Sequence, residues 1–218
     1  MKKTLQIKGL KKQFKSNVIF DDLNLYCEGG KLTSIVGPNG CGKTVLLKMI
    51  AGIMTPDKGQ ILYNNQPLNR SNAYVIKIGI SIEKPQFIEE LSAYDNLMFL
   101  ASFRNIVDEA VINDYLKKFD LYKTKNKKVK EFSLGMKQKL SIIQALMEEP
   151  NIILFDEVSN SLDNSSRELL FSILQEEKEK GKIILYVNHN FEEVVKLSDS
   201  ILIIDDRRLE PWENTNSQ

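Results

Sequence analysis

The stretch "GPNGCGKT", residues 37–44, constrains this chain more than any other. It fits G-x-x-x-x-G-K-[ST], follows the β-branched run "KLTSIVG" (31–37) and opens the helical pattern "KTVLLKMIAG" (43–52). In that order, strand, loop and helix let glycines turn backbone N–H groups inward around phosphate oxygens. Gly37, Pro38, Asn39, Gly40, Cys41 and Gly42 form the cradle. Lys43 adds a point charge for the β- and γ-phosphates, and the Thr44 hydroxyl can ligate Mg²⁺. The expected ligand is a nucleoside triphosphate with Mg²⁺.

Other apolar runs supply the frame for this loop. "NIILFDE" (151–157), "KIILYVN" (182–188) and "SILIID" (200–205) read as buried strands. "SSRELLFSILQEEKEKG" (165–181) and "FEEVVKLS" (191–198) read as the helices between them. Strands alternating with helices predict an α/β core with a mainly parallel sheet, a P-loop NTPase arrangement. The first thirty residues are β-rich and predict a small antiparallel sheet, while about 90–148 reads as an inserted helical lobe. The expected organisation is one domain, 1–218, with its core in about 1–89 and 149–218.

Asp156 and Glu157 end the run "ILFDE", at the strand end where open α/β sheets bind ligands. Adjacent strand residues point to opposite faces, so the two acids cannot do the same work. Asp156 suits a Mg²⁺ ligand, leaving Glu157 to orient or deprotonate an attacking water. His189, the single histidine of the chain, follows the next strand at the same edge, beside the γ-phosphate position.

Bulk composition excludes several classes. Thirty basic against 29 acidic residues give a net charge of +1, which argues against a coat for nucleic acid. No apolar run is long enough to span a bilayer, and "MKKTLQIKGLKKQF" lacks the apolar stretch of a secretory signal. Cys27 and Cys41 make no disulfide framework and read as reduced thiols. The lysine tract 123–130 reads as a solvated loop between helices.

"EFSLGMKQKLS" (131–141) raises a separate question. Ser133 can cap a helix whose apolar positions recur at Leu140, Ile143 and Leu146, yet its first turn carries no acid. A helix N-terminus left so favours an anion from elsewhere.

Together these pieces resemble, across essentially the whole chain, the ATP-binding subunit of an ABC transporter. "GPNGCGKT" resembles the Walker A loop, "IILFDE" the Walker B strand, "NSLD" (160–163) the D-loop and "VNHN" the histidine switch. "FSLGMKQK" is similar to the family signature L-S-G-G-Q, with Phe132, Leu134 and Met136 departing from it. The resemblance implies that Ser133 and Gly135 face ATP held by an opposite subunit, with Asp163 beside that nucleotide. It also implies that Phe14 stacks on adenine. Glu83 stands where most members carry a Q-loop glutamine near the metal, and Val158 replaces a common proline. Glu83 with "SLGMKQ" resembles the bacitracin-resistance and lantibiotic-immunity exporters. The implied function is ATP hydrolysis powering separate membrane-spanning subunits through an ATP-sandwiched homodimer or paired ATPase subunit, without nucleic acid. The implied location is the cytoplasmic face of the cell membrane. A soluble ABC ATPase acting on a macromolecular machine is the alternative.

Overall fold

The computed structural model describes residues 2–69 and 71–212. The expected outer bounds, 1 and 218, lie outside the described residues. Two long strands, β1 (Thr4–Phe14) and β2 (Asn17–Glu28), pair antiparallel and are followed by β3 (Lys31–Val36) and α1 (Lys43–Ile50). A hairpin of β4 (Lys58–Tyr63) and β5 (Gln66–Pro67) precedes the short α2 (Ala73–Ile76) and β6 (Ile78–Ser81). The helical lobe then runs through α3 (Ala93–Ser102), α4 (Glu109–Lys118) and α5 (Leu134–Leu146). The chain closes with β7 (Ile152–Asp156), α6 (Asn164–Glu179), β8 (Ile183–Val187), α7 (Phe191–Leu197), β9 (Ser200–Asp205) and β10 (Arg208–Pro211).

Two sheets result. One is antiparallel, in the order β2-β1-β4-β5; the other runs β10-β9-β3-β8-β7-β6, parallel except for the β9–β10 pair. The parallel sheet is buried on both faces, which explains its uninterrupted apolar runs. Alternation sorts them: Ile153, Phe155, Ile184 and Tyr186 join the core of the helical lobe. Ile152, Leu154, Ile183, Leu185 and Val187 join the core shared with α1 and the antiparallel sheet.

Two features were not legible in the chain's patterning. The antiparallel sheet reaches beyond the first thirty residues by recruiting β4 and β5, and the parallel sheet gains an edge strand in β6. β6 is only four residues long, too short for a period to register. Gly79 lets it approach α5: a Cβ there would lie 2.0 Å from the Ala145 carbonyl oxygen. Helix α1 ends two residues before the expected boundary, since Gly52 takes φ 72°, a left-handed value suited to a helix end. Within the lysine tract, Lys128 and Lys130 pair with Glu90, and Lys125 lies over the Tyr94 and Tyr122 rings.

Candidate active site

The loops at the C-terminal ends of β3, β6 and β7 converge on a cavity of about 550 Å³, lined among others by Gly40, Lys43, Thr44, Glu83, Asp156 and Glu157. The loop after β3 delivers Gly42 as the N-cap of α1 at φ 107°, with no side-chain cap and no acid in the first turn. A Cβ on Gly42 would meet Ile19 at 2.5 Å and Phe20 at 2.7 Å, so only glycine fits. Lys43 is buried, and its Nζ donates to the carbonyls of Gly37 at 2.7 Å and Pro38 at 3.0 Å. That folds the loop around its own cation and points the first-turn N–H groups of α1 at the cavity.

Thr44 Oγ1 donates to Asp156 Oδ2 at 2.5 Å, joining the helix start to the end of β7. Burial raises the Asp156 pKa above the ordinary aspartate value; the Thr44 hydrogen bond opposes this and the Glu157 charge adds to it. A divalent cation would reverse that penalty, so the oxygen pair fits Mg²⁺.

Glu157 sits at φ 53°, its N–H donating to the Val187 carbonyl at 2.8 Å. Asn160 Nδ2 donates to Glu157 Oε2 at 3.0 Å, and His189 Nδ1 lies 3.3 Å from Glu157 Oε1. One carboxylate therefore joins the loops after β7 and β8. Neighbouring Val158 is buried in the core.

Other expected residues lie around this centre. Glu83, at φ 63°, lines the cavity but pairs with Lys48 Nζ at 2.6 Å. Ser133 Oγ accepts from the Met136 N–H at 3.2 Å, capping α5, and no acid occupies that helix's first turn. Leu134 and Gln138 of α5 line the chain's own cavity, while a Cβ on Gly135 would lie 2.9 Å from the Ser161 carbonyl oxygen. Phe14, Ser133, Gly135, Asp163 and His189 are not among the cavity's lining residues. Phe14 stands at the β1 end, 43% exposed, with Lys12 Nζ 5.3 Å from its ring centroid.

Asp163 stands at the start of α6. Its Oδ1 accepts from the Ser166 N–H at 2.8 Å and Ser165 Oγ at 2.7 Å, and its Oδ2 lies 3.2 Å from Lys139 Nζ. Those contacts, the Ser166 N–H first, hold its carboxyl well below the usual range. It is the cap of α6.

Several participants were assigned no contact by the sequence: Lys48, the partner of Glu83; Asn160 and Ser161 of "NSLD", in the lining; and Gln138 of "FSLGMKQK", whose Nε2 donates to Ser81 Oγ at 3.3 Å. All are polar residues whose contacts span 35 or more positions or sit in an irregular loop, beyond the reach of local periodicity.

Strand, phosphate loop, helix and paired acids at the end of a parallel sheet define a P-loop nucleotide triphosphatase. The ABC transporter family pattern matches residues 20–160. The uncharacterized ABC transporter ATP-binding protein YybJ of Bacillus subtilis is 32% identical over 96% of this chain and 96% of its own length. The lantibiotic transport ATP-binding protein SrtF of Streptococcus pyogenes is 34% identical over 90% of this chain and 85% of its own length. Among solved structures, the dimeric bacterial ABC transporter cassette MJ0796 matches with a TM-score of 0.85 at 25% identity, over 94% of this chain and 96% of that one. The chain belongs to the ABC transporter family, as one of its ATP-binding, ATP-hydrolysing cassettes.

Proposed function

We propose that this cassette drives an exporter: ATP closes two copies head to tail, hydrolysis releases them, and separate membrane-spanning subunits convert the cycle into transport. The observation that carries the reading is the convergence of Lys43, Thr44, Asp156 and Glu157 on one cavity at the sheet edge. Export is supported by the likeness to SrtF, a lantibiotic transport protein. Pairing is supported by the dimeric MJ0796 cassette and by the α5 N-terminus, capped by Ser133 without an acid to complement it. Among the described residues no helix is long and apolar enough to cross a membrane; attachment to its inner face through the partner subunits is part of the proposal.

Within the site, Lys43 and the α1 N–H groups bind the β- and γ-phosphates. Thr44 and Asp156 would hold Mg²⁺, with Glu83 as a further ligand once its Lys48 pairing yields, and the ion would neutralise charge on the phosphate oxygens. Glu157, held between Asn160 and His189, orients or deprotonates the attacking water. A neutral imidazole has a single N–H, so Glu157 and the γ-phosphate compete for His189. Phe14 offers its exposed face to adenine. Asp163 caps α6 and so holds its loop in place beside the nucleotide of the opposite subunit.

The test uses the purified chain with Mg-ATP. Lys43→Ala should lose about tenfold to a hundredfold in nucleotide affinity, the scale of a hydrogen bond to a charged group. Glu157→Gln should keep that affinity, lose at least about a hundredfold in turnover and accumulate an ATP-dependent dimer in sedimentation. Undiminished turnover in Glu157→Gln removes the catalytic assignment.

A further inference from the structure

Behind Glu157 and His189 lies a polar cluster that the phosphate chemistry does not use. Ser159, Tyr186, Asn188 and Glu193 are 1%, 0%, 0% and 7% exposed. Ser159 lies two residues past Glu157, Asn188 directly precedes His189, and Glu193 sits in the first turn of α7.

Their bonds meet on one atom. Glu193 Oε1 accepts from Ser159 Oγ at 2.7 Å, from Asn188 Nδ2 at 2.6 Å and from the Tyr186 hydroxyl. The Asn188 amide also reaches Ser159 Oγ at 2.8 Å and the Tyr186 hydroxyl at 3.0 Å, while its carbonyl oxygen accepts from the Asn190 N–H at 2.9 Å. Glu193 Oε2 faces Arg167 Nε at 3.8 Å, and that buried nitrogen has no hydrogen-bond partner among the described residues. Arg167 Nη2 reaches the Leu162 carbonyl at 3.5 Å, within the loop that carries Asn160 and Ser161.

Docking α7 does not require such a cluster. A buried carboxylate with one cation at that distance costs more than an apolar side chain of equal volume. What the cluster does supply is geometry. The side chains of Glu157 and His189 are 37% and 62% exposed and, among the described residues, make polar contacts with each other and with Asn160, so their loops must be held from behind. Burial, reinforced by the hydrogen bond to Glu193, pushes the Tyr186 hydroxyl pKa up, so it remains a donor at neutral pH.

We propose that Glu193 is a positioning residue for ATP hydrolysis: its carboxylate clamps the loop of Glu157 to the loop of His189, and Arg167 ties the Asn160–Leu162 segment to the same point. The proposal rests on the reading of Glu157 and His189 as the hydrolytic pair. Glu193→Gln tests it with little change of volume, since the amide oxygen can replace Oε1 but its NH₂ then faces Arg167.

The experiment measures kcat, KM and Tm of the full chain for Glu193→Gln, Tyr186→Phe, His189→Ala and the Glu193→Gln/His189→Ala double variant. Loss of register should lower kcat between about tenfold and a hundredfold while KM and ATP affinity stay within about twofold. Tyr186→Phe, which removes one donor and leaves the rest, should show the same split with a smaller loss. In the His189→Ala background the Glu193 effect should largely vanish, because the two act as a unit. An unchanged kcat, a loss that simply multiplies in the double variant, or a loss matched by the fraction unfolded at assay temperature overturns the proposal. If Glu193→Gln does not fold, Tyr186→Phe alone decides, an unchanged kcat overturning the clamp. Full turnover in Glu157→Gln would instead remove the underlying reading, and the clamp with it.

Discussion

Thr44 Oγ1 and Asp156 Oδ2 lie 2.5 Å apart although 112 positions separate them in the chain, and this contact brings the phosphate loop to the acid strand. Because burial raises the Asp156 pKa, the folded protein without metal binds a proton more tightly than the unfolded chain. Its contribution to stability is therefore most favourable below the ordinary aspartate range and worsens as pH rises through the raised value. Asp156→Asn removes that penalty and keeps an oxygen for Thr44. Metal-free Asp156→Asn should melt a few degrees above wild type at neutral pH, with the gap closing toward pH 4, and should lose Mg²⁺-dependent turnover by about a hundredfold or more. Calorimetry across pH, beside the ATPase assay, checks both; a lower neutral-pH Tm contradicts the assignment.

Ser133 separates capping from pairing. Ser133→Ala removes the hydrogen bond to the Met136 N–H and should cost about 1 kcal/mol of stability. Ser133→Arg adds bulk at the exposed start of α5, so the ATP-dependent dimer should disappear while the monomer still binds ATP. Equal monomer content with and without Mg-ATP in wild-type sedimentation would count against shared sites.

Glu83 pairs with Lys48 and lines the same cavity as Thr44 and Asp156. The pair is exposed enough to contribute about 0–1 kcal/mol, so Glu83→Gln and Lys48→Met should each leave Tm nearly unchanged. Glu83→Gln should shift the Mg²⁺ concentration for half-maximal hydrolysis upward by a modest factor, since an amide oxygen is a weaker ligand than a carboxylate. Glu83→Ala should bind ATP normally but weaken the coupling of hydrolysis to the membrane partner. Identical Mg²⁺ curves for both Glu83 variants and wild type would leave Glu83 a solvated loop residue.

Gly79 is a test of the fold. A side chain there would push β6 away from α5, so Gly79→Val should destabilise by about 3 kcal/mol, the upper end of overpacking costs, in urea unfolding. Tolerance of valine would show that the sheet edge yields.

The phosphate loop, the buried strands and the Ser133 cap were legible in sequence because each is a local pattern with a local cause. Gly42 must be glycine where φ is 107°, and strand alternation sorts Ile153 from Ile152 without reference to any partner. Asp163 shows what resemblance leaves out: its place after "NSL" implies a nucleotide contact, and the fold adds a second task, capping α6 through Ser166 and Ser165 while it pairs with Lys139. Lys43 and Thr44 could be placed at the start of α1 in advance because strand, glycine loop and helix form a local pattern.

What the chain determined by itself is the menu of groups: a phosphate cradle, two acids at a strand end, one histidine and a helix start without an acid. What only the tertiary structure decided is which of them meet. Lys48 with Glu83, His189 with Glu157, and Ser159, Tyr186 and Asn188 with Glu193 are pairings across the packed sheet edge. Periodicity reports which face of an element is buried. It carries no information on which polar side chains that burial leaves facing one another, and buried polar groups must satisfy their hydrogen bonds with whatever neighbour the packing provides.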